Sequence, residues 1–264
     1  MEIKDLRAKY KLIDLFLELC EIPSPPLKEE KVSEKILSVF RKNNISAEYD
    51  EYKNIIAKIP GTKRCESLQP LLLSAHMDVV GGSEEVITRI SADEKYIETD
   101  KTRTLGADNK AGVAAILDLA INLACPENKI EHAPLEIIFT RDEEKGMTGI
   151  RNLDASKLKS KYAIIADGEN LGELDNQGAG FTDVYIKIHQ GKGGHSGINI
   201  HEKDRISAIK VLSELDSMIP QGVYKYNSQN EVITSINAGV CIGGTADTCL
   251  SEIIKEVYEA GKTK

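Results

Sequence analysis

The sequence predicts an α/β fold in which a mostly parallel sheet with flanking helices is followed by a smaller α+β domain. Strand-like apolar runs alternate with helix-like segments along the first part of the chain. The run at 71–75 directly follows Pro70 and is typical of a strand that is buried on both faces of a parallel sheet. Beyond about residue 177, apolar and polar residues alternate, which indicates half-exposed antiparallel strands.

The elements of the first domain follow from these patterns in chain order. Apolar residues share one face of a helix predicted over 4–19, which ends before Pro23. A second helix follows, with Val32, Ile36 and Phe40 on its buried face. The strands of this domain are predicted at 45–49, 54–59, 71–75, 135–140 and 162–166, and its later helices at about 110–124 and 147–153.

The change of pattern near residue 177 predicts a domain boundary, so that residues 1–176 and 177–264 form separate domains. The second domain has a β-α-β order of elements, followed by one more amphipathic segment. Its elements are predicted as a strand at 184–188, a helix at 206–215, a strand at 232–240 and a helix at about 253–258.

The composition is that of a globular protein with an acidic balance. Of 264 residues, 41% are hydrophobic and 29% are charged, and the formal net charge is −8. This charge argues against the phosphate backbone of a nucleic acid and against an anionic membrane as partners. No apolar run approaches the roughly 20 residues of a membrane helix. The five cysteines are scattered without a C-x-x-C spacing, which is typical of reduced thiols, so we expect a cytoplasmic location.

Histidine and carboxylate residues occupy four strand ends or loops of the first domain. The carboxyl ends of parallel strands meet at one edge of a sheet, where open α/β sheets bind ligands. Carboxylates gathered there repel one another unless a cation neutralises them, and a metal pair about 3.5–4 Å apart would form a hydrolytic centre. One histidine with several carboxylates suits zinc, with cobalt or manganese as alternatives. The residues at these positions are His76, Asp78, Asp108, Glu143, Glu144 and Asp167.

Each of these residues also has a simpler interpretation when it is taken alone. His76 could be structural, and Asp108 could cap the helix that follows it. Glu143 and Glu144 could form a solvated turn, and Asp167 before a glycine could belong to a tight turn. The metal hypothesis therefore depends on all four segments together.

The order and wording of these motifs resemble the co-catalytic di-zinc exopeptidases, a family that includes peptidase T, aminoacylase and glutamate carboxypeptidase. The wording is closest to that of the peptidase T-like tripeptidases, and the resemblance covers about residues 10–245. The motifs that carry it are His76-Met77-Asp78, Gly106-Ala107-Asp108-Asn109-Lys110-Ala111-Gly112, Glu143-Glu144-Lys145-Gly146 and Ala166-Asp167-Gly168.

The resemblance implies a metal-binding role for four residues. His76 and Asp167 would bind one metal ion, Glu144 would bind the second, and Asp108 would bridge the two. The expected cofactors are two Zn²⁺ ions per subunit, with Co²⁺ or Mn²⁺ as alternatives.

Three further residues receive catalytic roles from the resemblance. Asp78 would hydrogen-bond the second ring nitrogen of His76 and fix its tautomer. Glu143 would act as the general base toward a metal-bound water. His195, in the glycine-rich stretch 191–197, would stabilise the tetrahedral oxyanion, although glycine-rich loops also hold exposed histidines without a function. The turn at 243–246 resembles a lid turn that meets the substrate.

The implied function is hydrolysis of short peptides, as by a tripeptide aminopeptidase. Residues 1–176 would form the catalytic domain, and residues 177–264 a lid that also joins two subunits into a homodimer. The expected partner is a short peptide substrate.

The chain departs from the family after the lid. The family has a final zinc-ligating histidine there, whereas no histidine follows His201. We therefore expect a C-terminal catalytic segment to be missing and the second metal site to be weakened. Two alternatives follow: a catalytically impaired remnant with only a binding or assembly function, or an N-acyl-amino-acid amidohydrolase.

Overall fold

The computed structural model describes residues 2–82, 84–168, 170–176, 178–188, 201, 203, 207–243 and 251–260. The chain divides into two compact units, Met1–Leu171 and Gly172–Lys264. The assignment of catalytic and lid functions to residues 1–176 and 177–264 stays a prediction.

The first unit contains helices that flank a five-stranded sheet, together with a two-stranded ribbon. Its helices are α1 Ile3–Lys9, α2 Lys11–Cys20, α3 Glu30–Lys42, α4 Ala107–Ala124 and α5 Thr148–Arg151. Its strands are β1 Ser46–Tyr49, β2 Ile55–Ile59, β3 Leu71–His76, β4 Thr88–Ile90, β5 Ile97–Thr99, β6 Leu135–Thr140 and β7 Tyr162–Ile165.

The five-stranded sheet has the strand order β1-β2-β6-β3-β7. Strand β3 lies between β6 and β7 and is parallel to both, while β1 and β2 add to the sheet in antiparallel pairs. The predicted α/β class is confirmed, and the sheet is mixed. In the parallel half of the sheet, the register brings the carboxyl ends of β3, β6 and β7 to the same edge, with His76 opposite Thr140 and Ser74 opposite Ile165.

The core of this unit lies between the sheet and helices α3 and α4. Every residue of β6 is buried, and the rings of Phe40 and Phe139 stack with centroids 6.1 Å apart. On α4 the buried positions Val113, Ala114 and Leu117 pack in the same core. Burial of each large apolar side chain contributes about 1.5–3 kcal/mol to the stability of the fold. This packing holds in place the strands whose ends carry the site.

The single helix predicted over 4–19 is wrong in one respect, because the chain breaks at Tyr10 into α1 and α2. Tyr10 has extended backbone angles (φ −125°, ψ 105°). Helix α1 has no buried residue, whereas α2 buries Leu17, Leu19 and Cys20, so α2 is the more firmly packed of the two. None of the described helices is long and apolar enough to cross a membrane.

The second unit is an antiparallel sheet with one described helix. The sheet has the order β8-β11-β10-β9, and helix α6 packs against β8 and β11. Ser207 caps α6 by accepting a hydrogen bond from the Lys210 backbone N–H at 3.3 Å. The elements are β8 Ala179–Ile188, α6 Ala208–Met218, β9 Gly222–Tyr226, β10 Val232–Gly243 and β11 Ser251–Ala260.

The helix predicted at about 253–258 is wrong, because this segment is strand β11 in the middle of the sheet. It pairs with β8 on one side and with β10 on the other. Apolar residues at 253, 254, 257 and 258 fit a helical period, but Ile253, Ile254 and Val257 are β-branched and favour strands. Pairing with strands on both sides places the segment inside the sheet, so these tertiary contacts override its weak helical period.

Candidate metal centre

The candidate site lies at the carboxyl edge of the parallel strands. His76 is the last residue of β3, Glu143 and Glu144 follow the end of β6, and Asp167 follows the end of β7. Asp108 lies in the first turn of α4. The sheet register and α4 therefore bring together the four segments that the sequence singles out.

The imidazole of His76 is surrounded by carboxylates. Its Nε2 atom lies 2.9 Å from Oδ1 of Asp108, 3.8 Å from Oδ1 of Asp167 and 4.0 Å from Oε2 of Glu143. One ligand atom from each of His76, Asp108 and Glu144 lies within 4.8 Å of the other two, so these three residues could hold a metal ion. The side chain of Asp108 is 74% exposed, which leaves the group open on one side.

The tautomer of His76 follows from its second ring nitrogen. Nδ1 lies 2.8 Å from the backbone carbonyl oxygen of Asp78 and 3.4 Å from its Oδ1 atom. A carbonyl oxygen can only accept a hydrogen bond, so Nδ1 donates its proton to it. In the neutral ring, the lone pair of Nε2 is then directed at the carboxylates, which is the arrangement of a metal ligand.

The carboxylate of Asp78 anchors the turn that carries Glu143 and Glu144. Asp78 is fully buried, and its two oxygens accept hydrogen bonds from the backbone N–H groups of Glu143 and Glu144, each at 3.0 Å. Burial opposes ionisation of Asp78, but the hydrogen bonds with His76 and with these two amides lower its pKa below the usual range. Asp78 therefore stays a carboxylate, and it fixes both the His76 ring and the backbone of Glu143 and Glu144.

The start of α4 presents Asp108 to the site and does not use it as a cap. Asp108 has non-helical backbone angles (φ −82°, ψ 108°), and its carboxylate contacts His76. Gly112 sits one turn further along, where a Cβ atom would overlap with the carbonyl oxygen of Ala166 and with Oδ1 of Asn109. Only glycine permits this close approach of α4 to the end of β7, which precedes Asp167.

The electrostatics of the group favour a bound cation. Burial is the largest cause that raises the pKa of Glu143, Glu144 and Asp167, and the neighbouring carboxylates raise it further, while His76 lowers it. Burial alone lowers the pKa of His76, but its hydrogen bond with Asp78 and the charges of Asp167 and Glu143 raise it to about 9. A divalent cation would neutralise these carboxylates and displace the proton from Nε2. The donor set of one imidazole and several carboxylates fits zinc, cobalt or manganese.

The segment between α2 and α3 supports the site in a way that sequence reasoning missed. The Ser24 hydroxyl donates to the carbonyl of Met77 at 2.9 Å, and the Val79 N–H donates to the carbonyl of Ser24 at 3.0 Å. The buried ammonium of Lys110 donates to the carbonyl of Ile22. These bonds tie the segment to the residues around His76 and to the start of α4. The prolines near Ser24 predicted only the end of a helix.

Two predicted elements of the site lie wholly or mostly outside the described residues. His195 and the glycine-rich stretch 191–197 lie outside the described residues, and so does most of the predicted lid turn at 243–246. The role of His195 as an oxyanion-stabilising residue stays a prediction.

Several known proteins are similar to this chain in sequence and in fold. A cytosol non-specific dipeptidase from Escherichia coli is 33% identical over 215 residues, which make up 72% of this chain and 43% of the dipeptidase. A tripeptidase structure from Staphylococcus aureus superposes with a TM-score of 0.77 at 26% identity, over 94% of this chain and 65% of the tripeptidase. The aminopeptidase PepT structure from Bacillus cereus has a TM-score of 0.72 at 26% identity, over 94% of this chain and 66% of PepT. The chain thus spans less than two thirds of each of these relatives.

The resemblance of the motifs to the metal-dependent exopeptidases is confirmed by these relatives. The sequence model of peptidase family M28 matches residues 54–228, which is more than half of the chain, and the protein therefore belongs to this family of peptidases.

Proposed function

We propose that this chain carries the metal-binding face of a zinc-dependent exopeptidase that hydrolyses short peptides, as a tripeptide aminopeptidase does. The observation that carries the proposal is the position of His76 Nε2, with carboxylate oxygens of Asp108, Asp167 and Glu143 within 4.0 Å. A structural ion pair would need one carboxylate, whereas a multi-carboxylate site with a single imidazole suits divalent metals.

The names of the relatives support the substrate class. They are a non-specific dipeptidase, a tripeptidase and an aminopeptidase, all of which are enzymes named for action on peptides. A short peptide is therefore the proposed substrate of the chain that contains this site.

The proposed ligand sets divide the residues between two Zn²⁺ ions, with Co²⁺ or Mn²⁺ as alternatives. His76 and Asp167 would hold one ion, Glu144 the other, and Asp108, whose carboxylate lies beside His76, would bridge them. When bound, such ions polarise the scissile carbonyl and lower the pKa of an attacking water toward about 7.

Glu143 is the proposed general base. Its carboxylate lies 4.0 Å from His76 Nε2, close to the proposed metal ligands. A carboxylate that is not itself a metal ligand can accept a proton from the attacking water and return it to the departing amine. Asp78 holds the backbone N–H of Glu143 and so fixes the origin of its side chain.

Three further assignments belong to the same proposal. His195 would stabilise the oxyanion, the second domain would act as a lid and join two subunits, and the enzyme would act in the cytoplasm. The motif order in the sequence supports the first two, and the scattered cysteines without a C-x-x-C spacing support the third.

The proposal is tested by adding Zn²⁺ or Co²⁺ to metal-free protein and measuring hydrolysis of a tripeptide, with an N-acetylated amino acid as the competing substrate. We expect turnover of the tripeptide, and a loss of roughly 100- to 10,000-fold in kcat for Glu143→Gln. Glu131→Gln, which removes a surface carboxylate paired with Arg64, is the control and should keep the rate. Preference for the N-acetylated substrate would favour the amidohydrolase, and an equal rate for Glu143→Gln would remove the general-base assignment.

A further inference from the structure

The backbone N–H groups of three consecutive residues, Asp142, Glu143 and Glu144, each donate a hydrogen bond to a buried carboxylate. The amides of Glu143 and Glu144 donate to Asp78, as described above. The amide of Asp142 donates to Oε1 of Glu29 at 3.1 Å. Two carboxylates from distant segments therefore hold the same turn from two sides.

Glu29 is held firmly enough to act as an anchor. It immediately precedes α3 and is 3% exposed. Its Oε1 atom also accepts a hydrogen bond from the Leu27 N–H at 2.8 Å, and its Oε2 atom pairs with Nη2 of Arg141 at 3.0 Å. Glu29 thus binds both Arg141 and Asp142, the two residues that connect β6 to Glu143.

The carbonyl groups of this turn have partners of their own, since those of Asp142 and Arg141 accept from the N–H groups of Gly146 and Gly149, each at 3.3 Å. Glu29 bonds the groups that these contacts leave out, which are the Asp142 amide and the Arg141 guanidinium. The side chain of Asp142 is buried, with Oδ2 accepting from the Thr148 hydroxyl at 2.7 Å, and the Arg141 guanidinium is only partly exposed. Loss of Glu29 would leave the Arg141 charge and the Asp142 amide without these partners in a buried setting, and the turn would relax to rehydrate them. Glu143 and Glu144 follow directly in the chain, so their carboxylates would move with it.

We propose that Glu29 is a positioning residue that sets the direction of the Glu143 and Glu144 carboxylates through the Arg141–Asp142 backbone. This inference rests on the proposed function for its effect on the reaction rate. Its effects on backbone protection and on metal affinity are independent of which peptide is hydrolysed.

Glu136, which lies on strand β6, offers a matched control for Glu29. It is 3% exposed, and its Oε2 atom accepts from the backbone N–H groups of Lys159 and Ser160, each at 2.9 Å. Its Oε1 atom lies 3.5 Å from Nζ of Lys58. Glu136 therefore has the burial, the two amide bonds and the cation of Glu29, but it lies near the opposite end of β6 from the site.

The experiment compares Glu29→Ala and Glu29→Gln with Glu136→Ala and Glu136→Gln in the full chain. Glutamine keeps an oxygen that can accept from the Asp142 amide but loses the charge that pairs with Arg141, so it should have the smaller effect. The measurements are amide hydrogen exchange over 141–149, Zn²⁺ affinity by competition with a chelating dye, and kcat and KM for a tripeptide.

We expect Glu29→Ala to speed exchange of the Asp142–Glu144 amides and to weaken Zn²⁺ binding roughly 10- to 100-fold, with Glu29→Gln between it and the wild type. The drop in activity should appear mainly in kcat, because the glutamates act on the reacting atoms. The Glu136 variants should lower thermal stability by a similar amount while leaving the turn and the Zn²⁺ affinity unchanged.

The inference is overturned if both Glu29 variants keep wild-type exchange and Zn²⁺ affinity, or if the Glu136 variants disturb the turn equally. If Glu29→Ala does not fold, the milder Glu29→Gln decides by the same measurements. A wild-type protein that binds Zn²⁺ without hydrolysing any peptide would contradict the proposed function, whereas exchange and Zn²⁺ affinity would still decide the role of Glu29.

Discussion

The carboxylate of Asp78 lies 3.0 Å from the backbone nitrogen of Glu143, across 65 residues of sequence. The same residue contacts His76 through its carbonyl and its Oδ1 atom. Asp78 therefore links the end of β3 with the turn after β6, and it sets the relative positions of the imidazole and of the two glutamates.

Replacing Asp78 with asparagine should weaken the site more than it weakens the fold. The amide keeps the size of the carboxylate, but its NH₂ group would face one of the two N–H donors and leave that donor unpaired. We expect a loss of about 1–3 kcal/mol in the free energy of unfolding of the metal-free protein. The affinity for Zn²⁺ should fall roughly 10- to 100-fold, as measured by competitive titration.

The control for Asp78→Asn is Asp93→Asn. Asp93 also accepts a backbone hydrogen bond, from Lys95 at 3.3 Å, but in an exposed turn. This variant should change neither quantity. If Asp78→Asn bound Zn²⁺ as tightly as the wild type, the linking role of Asp78 would be wrong.

Without metal, the protein should lose stability as the pH rises from about 6.5 to about 9. The folded-state pKa of His76 is raised from 6.5 to about 9, since its carboxylate neighbours favour the protonated ring. A raised folded-state pKa gives a contribution that is complete below the unfolded value and disappears as the pH passes the folded value. The free energy of unfolding in the presence of a chelator, measured by urea titration across this range, checks the direction.

His76→Gln should remove most of this slope, whereas His132→Gln, at a residue outside the site, should keep it. Added Zn²⁺ should stabilise the protein more at high pH than at low pH, because the metal competes with the proton for Nε2. A pH slope that is the same in His76→Gln and in the wild type would show that other groups cause it.

The sequence predicted the elements whose conformation depends on a local pattern, and it predicted which residues meet where parallel strands end. The apolar runs that become β3, β6 and β7 mark strands, of which β6 is fully buried and the edge strand β7 is exposed. Parallel strands end at one edge of the sheet. For that reason His76, Glu144 and Asp167 could be expected near one another, together with Asp108 at the start of α4. Their individual roles stay predictions.

The parts that could not be predicted depend on contacts between distant segments. Glu29 and Asp142 are 113 residues apart, and nothing in the pattern around Glu29 separates it from a surface glutamate before a helix. The Ser24 hydroxyl reaches Met77 across 53 residues for the same reason. Strand β11 has the apolar period of a helix, but pairing with β8 and β10, and not this periodicity, decides its conformation.

Gly112→Ala tests whether the close approach of α4 to the end of β7 is needed for the site. In an ordinary helix this change stabilises by up to about 1 kcal/mol. Here the added Cβ atom would overlap with the Ala166 carbonyl oxygen and with Oδ1 of Asn109. We therefore expect a net loss of about 1–3 kcal/mol in the free energy of unfolding.

Zn²⁺ affinity should fall as well, since Asp108 and Asp167 would be pushed apart together with the segments that carry them. The control is Ala115→Gly, at an exposed position of α4, which should lower stability by about 1 kcal/mol without changing Zn²⁺ affinity. Thermal unfolding and Zn²⁺ titration separate the two effects. A Gly112→Ala protein that was more stable than the wild type and bound Zn²⁺ equally well would show that this contact does not determine the geometry of the site.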